Sequence, residues 1–345
     1  MKIPHFGLAR QYKNLKEELL DATHRALKDG QLVNGHHTRS FEEWLKHKTK
    51  TKYAITVHSG TQALEIIAQY KKADKHLISI PNITYPATLN AFLHVGWNIE
   101  ISDTDKYGIL KHSRYPGRYI CLVGLYGMKP WADHNVANSS KIIVDGAQHW
   151  LVADGQVGAG MAISFDPTKN LPSSGNGGAI VTNDEHLYLF AACYRDNNKP
   201  YFHDVGTNSK MSEQDCAQIL VRAKYIDQWQ QRRSEIAKYW CECFKNLPLT
   251  CLADTDVPHA HQKFVMYMSE RNSFHTNMML DGIETKIHYE YTLGDLPIAK
   301  NLIKPDLLSS SVMLSRGVIS LPLYPELTDV EVEYVAFKVN EYFAK

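Results

Sequence analysis

The stretch KIIVDGAQHWLVADGQVGAGMAISF, residues 141–165, decides the fold of this chain. It places two short β-branched runs, KIIVD (Lys141–Asp145) and MAISF (Met161–Phe165), on either side of a segment rich in small residues. Strands that are apolar on both faces are typical of a sheet that helices cover on both sides. The stretch therefore predicts two buried strands within an α/β domain.

Five further runs of the same kind extend the predicted sheet to seven strands. They are YAITV (Tyr53–Val57), LISIP (Leu77–Pro81), NIEIS (Asn98–Ser102), YICLV (Tyr119–Val123) and GAIVT (Gly178–Thr182). Helical stretches, for example Gly60–Tyr70 and Tyr85–Leu93, separate some of these runs. Strands that alternate with helices predict an α/β domain with a mostly parallel sheet.

Helical patterns also precede and follow the sheet. Leu15, Leu19, Ala22 and Ala26 are spaced by three or four residues, which indicates the buried face of a helix. One long helical region is predicted for residues 213–244. Its apolar positions near one face are Ile219, Ala223, Ile226, Ile236 and Trp240.

The C-terminal part of the sequence predicts a second, smaller unit. After a break at Asn246–Thr250 come a strand, FVMYM (Phe264–Met268), an apolar run, VISLP (Val318–Pro322), and a last helix. This helix begins at Thr328 with Glu331 three residues later, the spacing of a capping box. We expect an N-terminal segment and large domain over residues 1–245 and a smaller α+β domain over residues 246–345.

Composition narrows the partners and the compartment. The 345 residues include 38 Lys and Arg and 37 Asp and Glu, for a formal net charge of +1. Nucleic acids and anionic membranes select a basic excess, so neither is an expected partner. The sequence has no run near the ~20 apolar residues of a membrane span and no signal-peptide pattern in its first twenty residues. We therefore expect a cytoplasmic protein.

No metal site is expected. The six cysteines form no CxxC pair. His36 and His37 are adjacent, and His259 and His261 form an HxH pattern in a polar segment. Without a cysteine or a placed carboxylate nearby, all four are interpreted as loop histidines.

Four segments of the sheet domain carry candidate chemistry. They are HSGTQAL (His58–Leu64), NITYPATLNA (Asn82–Ala91), VDGAQH (Val144–His149) and SFDPTKNLPSSGNGGAIVTND (Ser164–Asp184). The first follows a strand and opens a helix, where free N–H groups and a hydroxyl suit a phosphate. Taken alone, it reads better as an ordinary strand–helix turn.

The other candidate groups are a carboxylate and an amine. Asp145 ends a strand, and a carboxylate there points into the crevice where α/β proteins bind ligands; a turn or cap aspartate is an equally good interpretation. Lys169 follows a strand and precedes a Gly-rich hairpin. A lysine in a crevice forms a Schiff base when its pKa is lowered, although a single loop lysine is usually just exposed. Together, the phosphate cradle, acid and lysine are the parts of a pyridoxal-phosphate site.

In this order the four segments resemble the sugar aminotransferases of the DegT/DnrJ/EryC1/StrS family, which are pyridoxal-phosphate enzymes of fold type I. The resemblance runs nearly from end to end and extends beyond the sheet domain. The further matching blocks are IPHFGLARQYKNLKEEL (Ile3–Leu19), QLVNGHHTRSFEEWL (Gln31–Leu45), GTNSKMSEQDCAQ (Gly206–Gln218), TKIHYEYT (Thr285–Thr292) and ISLPLYPELTDVEVEYV (Ile319–Val335).

The resemblance implies roles around the cofactor ring. Lys169 would hold pyridoxal phosphate as a Schiff base and shuttle a proton, and Asp145 would pair with the pyridinium nitrogen. Gln148 would lie near the ring's phenolic oxygen. Tyr85 would stack on the ring face, although by sequence alone it is equally a core aromatic residue.

The same resemblance implies contacts to the phosphate and the substrate. Gly60, Thr61 and Ser164 would bind the phosphate, and Asn208 would reach it from the second subunit of a homodimer with shared active sites. His288 and Tyr289 would contact the substrate. Taken by itself, His288 is more simply a structural histidine.

The implied activity is transfer of an amino group, with glutamate as the expected donor, to a nucleotide-linked keto sugar, with pyridoxamine phosphate as the intermediate form of the cofactor. Two alternatives stay open. One is a dehydratase or a cyclitol- or aminobenzoate-type enzyme of the same family; a deoxygenating dehydratase tends to have His at the lysine position, and Lys169 argues against it. The other is a non-catalytic, sugar-binding regulatory relative.

Several positions depart from the family pattern. Lys210 stands where GxNxRM has Arg, Asn176 where an acidic residue is usual, and Gly124 where His is frequent. His149 comes one place earlier than the usual histidine. The segment KYGILKHSRYPGR (Lys106–Arg118) is short where relatives place a helix, so we expect one flank of the sheet to be less covered.

Overall fold

The computed structural model describes residues 1–72, 77–110, 118–130, 139–302, 304 and 308–344. Within them, seven strands form one sheet. In chain order they are β1 (Tyr53–Val57), β2 (Leu77–Pro81), β3 (Asn98–Ser102), β4 (Tyr119–Val123), β5 (Ile142–Asp145), β6 (Gly160–Ser164) and β7 (Gly178–Thr182).

The strands lie in the order β1-β7-β6-β5-β4-β2-β3. β7 runs antiparallel to both of its neighbours, β1 and β6, and the remaining pairs are parallel. This confirms the predicted α/β fold with a mostly parallel seven-stranded sheet. Each observed strand agrees with the predicted run to within one residue.

Helices cover both faces of the sheet. They are α1 (Leu8–Lys28), α2 (His36–Thr49), α3 (Gly60–Lys71), α4 (Pro86–Val95), α5 (Glu185–Tyr194), α6 (Glu213–Ala223) and α7 (Ile226–Phe244). The apolar residues of α1, α2 and α6 form one core cluster with one face of the sheet, and those of α3, α4 and α5 form another with the opposite face. None of the described helices is both long and apolar enough to cross a membrane.

Alternation along the central strands feeds both clusters. Met161 and Ile163 of β6 belong to the α1 side, whereas Ala162 between them belongs to the α3 side. The predicted stripe of α1 behaves likewise, since Leu15, Leu19, Ala22 and Ala26 are all buried. A two-residue period in the strands and a three-to-four-residue period in the helix thus build one packed layer.

The predicted long helix over residues 213–244 is wrong in one respect, because it is two helices. α6 ends at Ala223 and α7 begins at Ile226, with Lys224 and Tyr225 between them. The five predicted apolar residues are all buried, but they divide between two clusters. Ile219, Ala223 and Ile226 belong to the sheet domain, and the other two, Ile236 and Trp240, belong to the C-terminal region.

The C-terminal region contains a three-stranded antiparallel sheet in the order β10-β9-β8. Its elements are β8 (Thr250–Cys251), β9 (Phe264–Tyr267), α8 (Arg271–Leu280), α9 (Ser309–Gly317), β10 (Val318–Leu321) and α10 (Asp329–Phe343). The predicted strand and the predicted last helix are present, and the apolar run VISLP forms β10. Ile3 and Trp240 pack into the same cluster, so both the N-terminal residues and α7 contact this region. The boundary after residue 245 stays a prediction.

Part of the segment between β3 and β4, residues 111–117, lies outside the described residues. At its start, the Asp105 carboxylate accepts the N–H groups of Tyr107 (2.8 Å) and Ile109 (2.9 Å). At its end, Arg118 donates to Glu100 of β3 at 2.9 Å. The expectation of a less covered flank concerns the whole segment Lys106–Arg118, and it stays a prediction.

One ion pair joins the first helix to the last. Arg10 of α1 donates to both carboxylate oxygens of Glu331 in α10, at 2.6 and 2.5 Å. Glu331 also closes the predicted capping box, because it accepts from the backbone N–H and the hydroxyl of Thr328. Chiefly through the Arg10 hydrogen bond, the pKa of Glu331 is lowered to about 2.

This pKa predicts a pH-dependent contribution to stability. Glu331→Gln should lower the free energy of unfolding at pH 7 by about 2–3 kcal/mol, as expected for a shift of this size. The contribution is fully present above the ordinary carboxyl pKa and is lost as the pH falls towards 2, so the two proteins should converge in acid. Urea unfolding at several pH values measures this. Asp329→Asn, which changes an exposed acid two residues earlier, is the control, and a difference that stays constant with pH would contradict the assignment.

Candidate active site

A cavity of about 460 Å³ lies at the carboxyl ends of β1, β5 and β6. Parallel strands bring their carboxyl ends to one edge of a sheet, where α/β proteins bind ligands. The cavity is lined by nine of the ten predicted site residues: Gly60, Thr61, Tyr85, Asp145, Gln148, Ser164, Lys169, His288 and Tyr289. A larger cleft of about 640 Å³, between α1, α7 and Pro325–Glu326, contains none of them.

One end of the cavity is a small polar cradle at the start of α3. Ser59 caps this helix by accepting the N–H of Gln62 at 3.1 Å. A Cβ on Gly60 would lie 2.8 Å from the Cβ of Ser164, so only glycine allows the helix to approach the end of β6 this closely. The hydroxyls of Thr61 and Ser164 therefore share a corner with a helix N-terminus, which suits a phosphate.

Asp145 is buried at the end of β5. Its Oδ2 accepts from the hydroxyl of Thr88 at 2.8 Å, and its Oδ1 accepts from the N–H of Ala147 at 3.1 Å. Burial raises the pKa of the carboxyl, while these two hydrogen bonds and the nearby Lys169 oppose the rise. The carboxylate is therefore held in place and would be stabilised by a cation placed against it.

Lys169 is brought to the same cavity by a tight turn after β6. Its N–H donates to the carbonyl of Asp166 at 2.9 Å, and the Asp166 carboxylate accepts from the N–H of Thr168 at 2.9 Å. Burial lowers the pKa of the lysine amine, and Asp145 and Asp166 oppose this shift. A lysine with a lowered pKa has more of its amine in the nucleophilic, neutral form.

Gln148 links two walls of the cavity. Its Oε1 accepts from the N–H of Tyr126 at 2.6 Å, and its Nε2 donates to the hydroxyl of Tyr289 at 3.1 Å. Tyr126 in turn donates its hydroxyl to the carbonyl of His288 at 2.5 Å. Sequence reasoning missed Tyr126, because nothing in VGLYG marks its ring as a link between the sheet domain and the C-terminal region.

The surroundings of Tyr85 and His288 bear on the structural interpretations left open for them, a core aromatic residue and a packed histidine. The Tyr85 side chain is 60% exposed, so it is not a core aromatic residue; its ring lies 6.1 Å from that of Tyr289 at the cavity. His288 also lines the cavity, and its Nδ1 is hydrogen-bonded to the Ser320 hydroxyl at 2.8 Å. Burial lowers the pKa of His288. It is thus both a packed histidine and a residue of the cavity wall.

Asn208 is the predicted residue that does not line the cavity. It is exposed, and its Oδ1 accepts from Lys210 at 2.9 Å. Lys210, the departure from the family's Arg, also pairs with Asp196 and thereby lowers the pKa of that acid. The lysine therefore fixes the position of Asn208 at the surface of this chain.

The two histidine departures explain each other. A Cβ on Gly124 would lie 2.0 Å from Nδ1 of His149, whose side chain is fully buried. The imidazole of His149 thus fills the space that a side chain at position 124 would need. Glycine at 124 and histidine at 149 are one coupled change. The third departure, Asn176, is exposed and lines the cavity.

The C-terminal wall adds residues that sequence reasoning missed. Lys263, Lys286 and Phe6 all line the cavity. Lys263 directly precedes β9 and is buried, which no pattern in HQKFVMYM indicates because the run reads simply as an edge of a strand. Asp166 and Thr168, between Ser164 and Lys169, complete the floor.

The expectation about His36 and His37 needs correction. They are the first two residues of α2 and not of a loop, and Asp29 brings a carboxylate near them, with the candidate ligand atoms within 4.8 Å of one another. Asp29 and His36 are exposed, and burial followed by the neighbouring His36 lowers the pKa of His37. The fold, and not sequence spacing, supplies this carboxylate.

The chemistry of the cavity fits a pyridoxal-phosphate cofactor. A helix N-terminus with two hydroxyls, a buried carboxylate and a lysine of lowered pKa match the phosphate, the pyridine nitrogen and the aldehyde of that molecule. With its mostly parallel seven-stranded sheet, the chain has the fold type I architecture of enzymes that use this cofactor.

The family is shown by comparison with known proteins. The model of the DegT/DnrJ/EryC1/StrS aminotransferase family matches residues 13–112 and 137–340, and the chain belongs to this family of pyridoxal-phosphate-dependent aminotransferases. A dTDP-3-amino-3,6-dideoxy-alpha-D-galactopyranose transaminase from Aneurinibacillus thermoaerophilus is 30% identical, with 99% of each chain covered.

Two further relatives differ in what their names say. A pleiotropic regulatory protein from Geobacillus stearothermophilus is 24% identical over 99% of each chain. The structure of S. venezuelae DesV in complex with a ketimine intermediate superimposes with a TM-score of 0.91, at 24% identity, covering 100% of this chain and 99% of that one. The last likeness concerns the fold.

The coupling of Gly124 and His149 is testable. Gly124→Ala should lower the free energy of unfolding by about 1–3 kcal/mol, because its methyl group overlaps the buried imidazole. In a His149→Ala background the same change should cost far less, because the space is then free. Urea unfolding of the four proteins measures the coupling. Gly175→Ala, where a Cβ meets nothing within 4 Å, is the control, and equal costs in both backgrounds would contradict the coupling.

Proposed function

We propose that this aminotransferase transfers an amino group from glutamate to a keto sugar carried by a nucleotide. The observation that supports this most directly is the meeting of Lys169 and Asp145 in one cavity, beside a polar cradle at a helix N-terminus. Each of these residues has an ordinary structural interpretation when it is taken alone. Their convergence from separate parts of the chain favours a catalytic one.

Seven residues would hold the cofactor. We assign Gly60, Thr61 and Ser164 to the phosphate and Tyr85 to the ring face. Gln148 would approach the phenolic oxygen; its Nε2 also donates to Tyr289, and this bond would keep the amide oriented. The remaining two are Asp145 and Lys169.

Lys169 would act first as the covalent attachment and then as the proton carrier. When bound, the cofactor supplies a carbonyl for amine exchange and a ring that accepts the electron pair of the donor's α-carbon. The lowered pKa of Lys169 favours a neutral Nζ. This amine would take the proton from the donor's α-carbon and deliver it to the cofactor carbon that carries the exchanged nitrogen. In the second half of the reaction the same Nζ would move the proton in the opposite direction, from the cofactor to the carbon of the keto sugar that receives the amino group.

Asp145 would keep the ring nitrogen protonated. Its carboxylate is fixed by Thr88 and Ala147, so little reorganisation is needed when charge develops opposite it. The hydrogen bonds also oppose the pKa rise that burial causes, and a pyridinium cation would oppose it further.

We propose a homodimer in which Asn208 completes the partner's cofactor site. Asn208 is exposed and outside its own cavity. The loop before it exposes large apolar side chains: Tyr201 (65%), Phe202 (66%) and Val205 (68%). Clustered apolar exposure of this kind is typical of a surface that another chain covers.

The substrate class rests on relatives. Curated relatives of nearly full length include transaminases named for dTDP- and UDP-linked amino sugars. We therefore propose a nucleotide-linked keto sugar, with His288 and Tyr289 as contacts to it. The same reasoning supports a cytoplasmic enzyme, since nucleotide-linked sugars are made there.

A regulatory role is the second candidate, because one relative carries a regulatory name. A protein that only binds a sugar has no need of a lysine with a lowered pKa beside a buried carboxylate. Lys169 argues against the dehydratase alternative, which tends to have His at this position. The cyclitol- and aminobenzoate-type alternatives differ from the proposal in their substrate.

The attachment role of Lys169 gives a spectroscopic prediction. Wild-type protein with added pyridoxal phosphate should absorb in the visible region through the covalent bond to Lys169. Lys169→Ala should lose this band and all turnover, while Lys13→Ala, an exposed lysine of α1, keeps both. A wild type that takes up no cofactor would refute the proposal at its root.

The donor assignment separates an enzyme from a regulatory protein. Glutamate alone should convert the bound cofactor to its amine form, seen as loss of the visible band and appearance of 2-oxoglutarate. Asp145→Asn should slow this conversion about a hundredfold or more while still binding the cofactor. Retention of the band with every amino acid tested would favour the regulatory candidate.

A further inference from the structure

The C-terminal wall of the cavity contains a lysine without an assigned task. Lys263 is only 7% exposed, and its backbone N–H donates to the carbonyl of Tyr126 at 3.1 Å. Among the residues that the structure describes, no hydrogen bond or ion pair to its Nζ is found. A buried ammonium group without a partner is costly, so the charged form of Lys263 is favoured only when an anion lies against it.

The surroundings of Lys263 are rich in cations. Burial, then Lys169 and Arg233, and more weakly Lys286, lower its pKa well below the ordinary lysine value, and Asp166 alone opposes them. The nearby histidines add no counter-charge. This corner of the cavity is therefore short of negative charge until something brings it.

A second cation stands at the rim. Lys286 is exposed, lines the same cavity, and holds its Nζ 4.7 Å from the centre of the Phe6 ring. The cavity thus offers one cation on its C-terminal wall and one at its edge. The phosphate cradle, by contrast, is built from hydroxyls and a helix N-terminus on the sheet side.

We infer that Lys263 binds a carboxylate of the substrate on the C-terminal wall of the cavity. This inference rests on the proposed function, because that reaction brings carboxylates into this cavity. A small planar anion fits a single buried ammonium group better than a diphosphate, which needs several donors. The carboxylate has two possible sources, the amine donor or an acidic sugar, and both present the same chemistry to Lys263.

Direct binding tests the inference without turnover. Isothermal titration compares glutarate with glutaramate for the donor, and UDP-glucuronate with UDP-glucose for the sugar; each pair differs at one carboxylate. The wild type should prefer the carboxylate in at least one pair. Lys263→Met should weaken binding of that carboxylate about ten- to hundredfold and leave its neutral counterpart unchanged.

The arm that responds identifies the source of the carboxylate. Lys263→Met replaces a buried amine that has no partner with an apolar side chain of similar length, so we expect the variant to fold; if it does not, Lys263→Gln replaces it. Lys13→Met, on the surface of α1, is the matched control. The inference would be overturned if the wild type shows no preference for the carboxylate in either pair. It would also be overturned if the Lys263 variant keeps the preference of the wild type.

Failure of the proposed function can be told apart. Cofactor uptake is followed by visible absorbance in the same samples. Carboxylate binding through Lys263 in a protein that takes up no cofactor would refute the proposed reaction and leave this site. Cofactor uptake without any carboxylate preference would refute the role of Lys263 and leave the proposed reaction in place.

Discussion

The constraint on which this structure depends is the burial of an amine and a carboxylate in one cavity. Lys169 and Asp145 each lose hydration there, and each is partly compensated by the other. The parallel strands must bring β5 and β6 side by side, and the antiparallel β7 must return the chain so that the turn at Asp166 faces the cavity.

Much of this could be predicted from sequence, because strand runs and motif order carry local information. The seven strands follow from short-range patterns, whereas the expected set of site residues, nine of which line one cavity, comes chiefly from the family resemblance. The break between α6 and α7 could not be predicted, because Lys224 and Tyr225 have no helix-breaking character. Lys263 and Tyr126 were missed for a related reason: their roles depend on contacts between distant segments.

The contact between Gly124 and His149 shows how packing links two positions that appear separate in the sequence. From sequence it appears as two unrelated departures, a missing histidine and a displaced one. In the structure a single imidazole occupies one space, and glycine at 124 is required by it.

The two walls of the cavity divide the work of the site. The sheet side carries Lys169, Asp145 and the polar corner at the start of α3, to which we assign the binding of the cofactor. The C-terminal side carries His288, Tyr289, Lys263 and Lys286, and it is tied to the sheet side through the bonds of Gln148 to Tyr289 and of Tyr126 to the His288 carbonyl. Because these bonds fix one wall relative to the other, a charge on the C-terminal wall acts at a defined distance from the reacting amine. Substitutions that alter substrate preference are therefore expected on the C-terminal wall, because they leave Lys169 and Asp145 undisturbed.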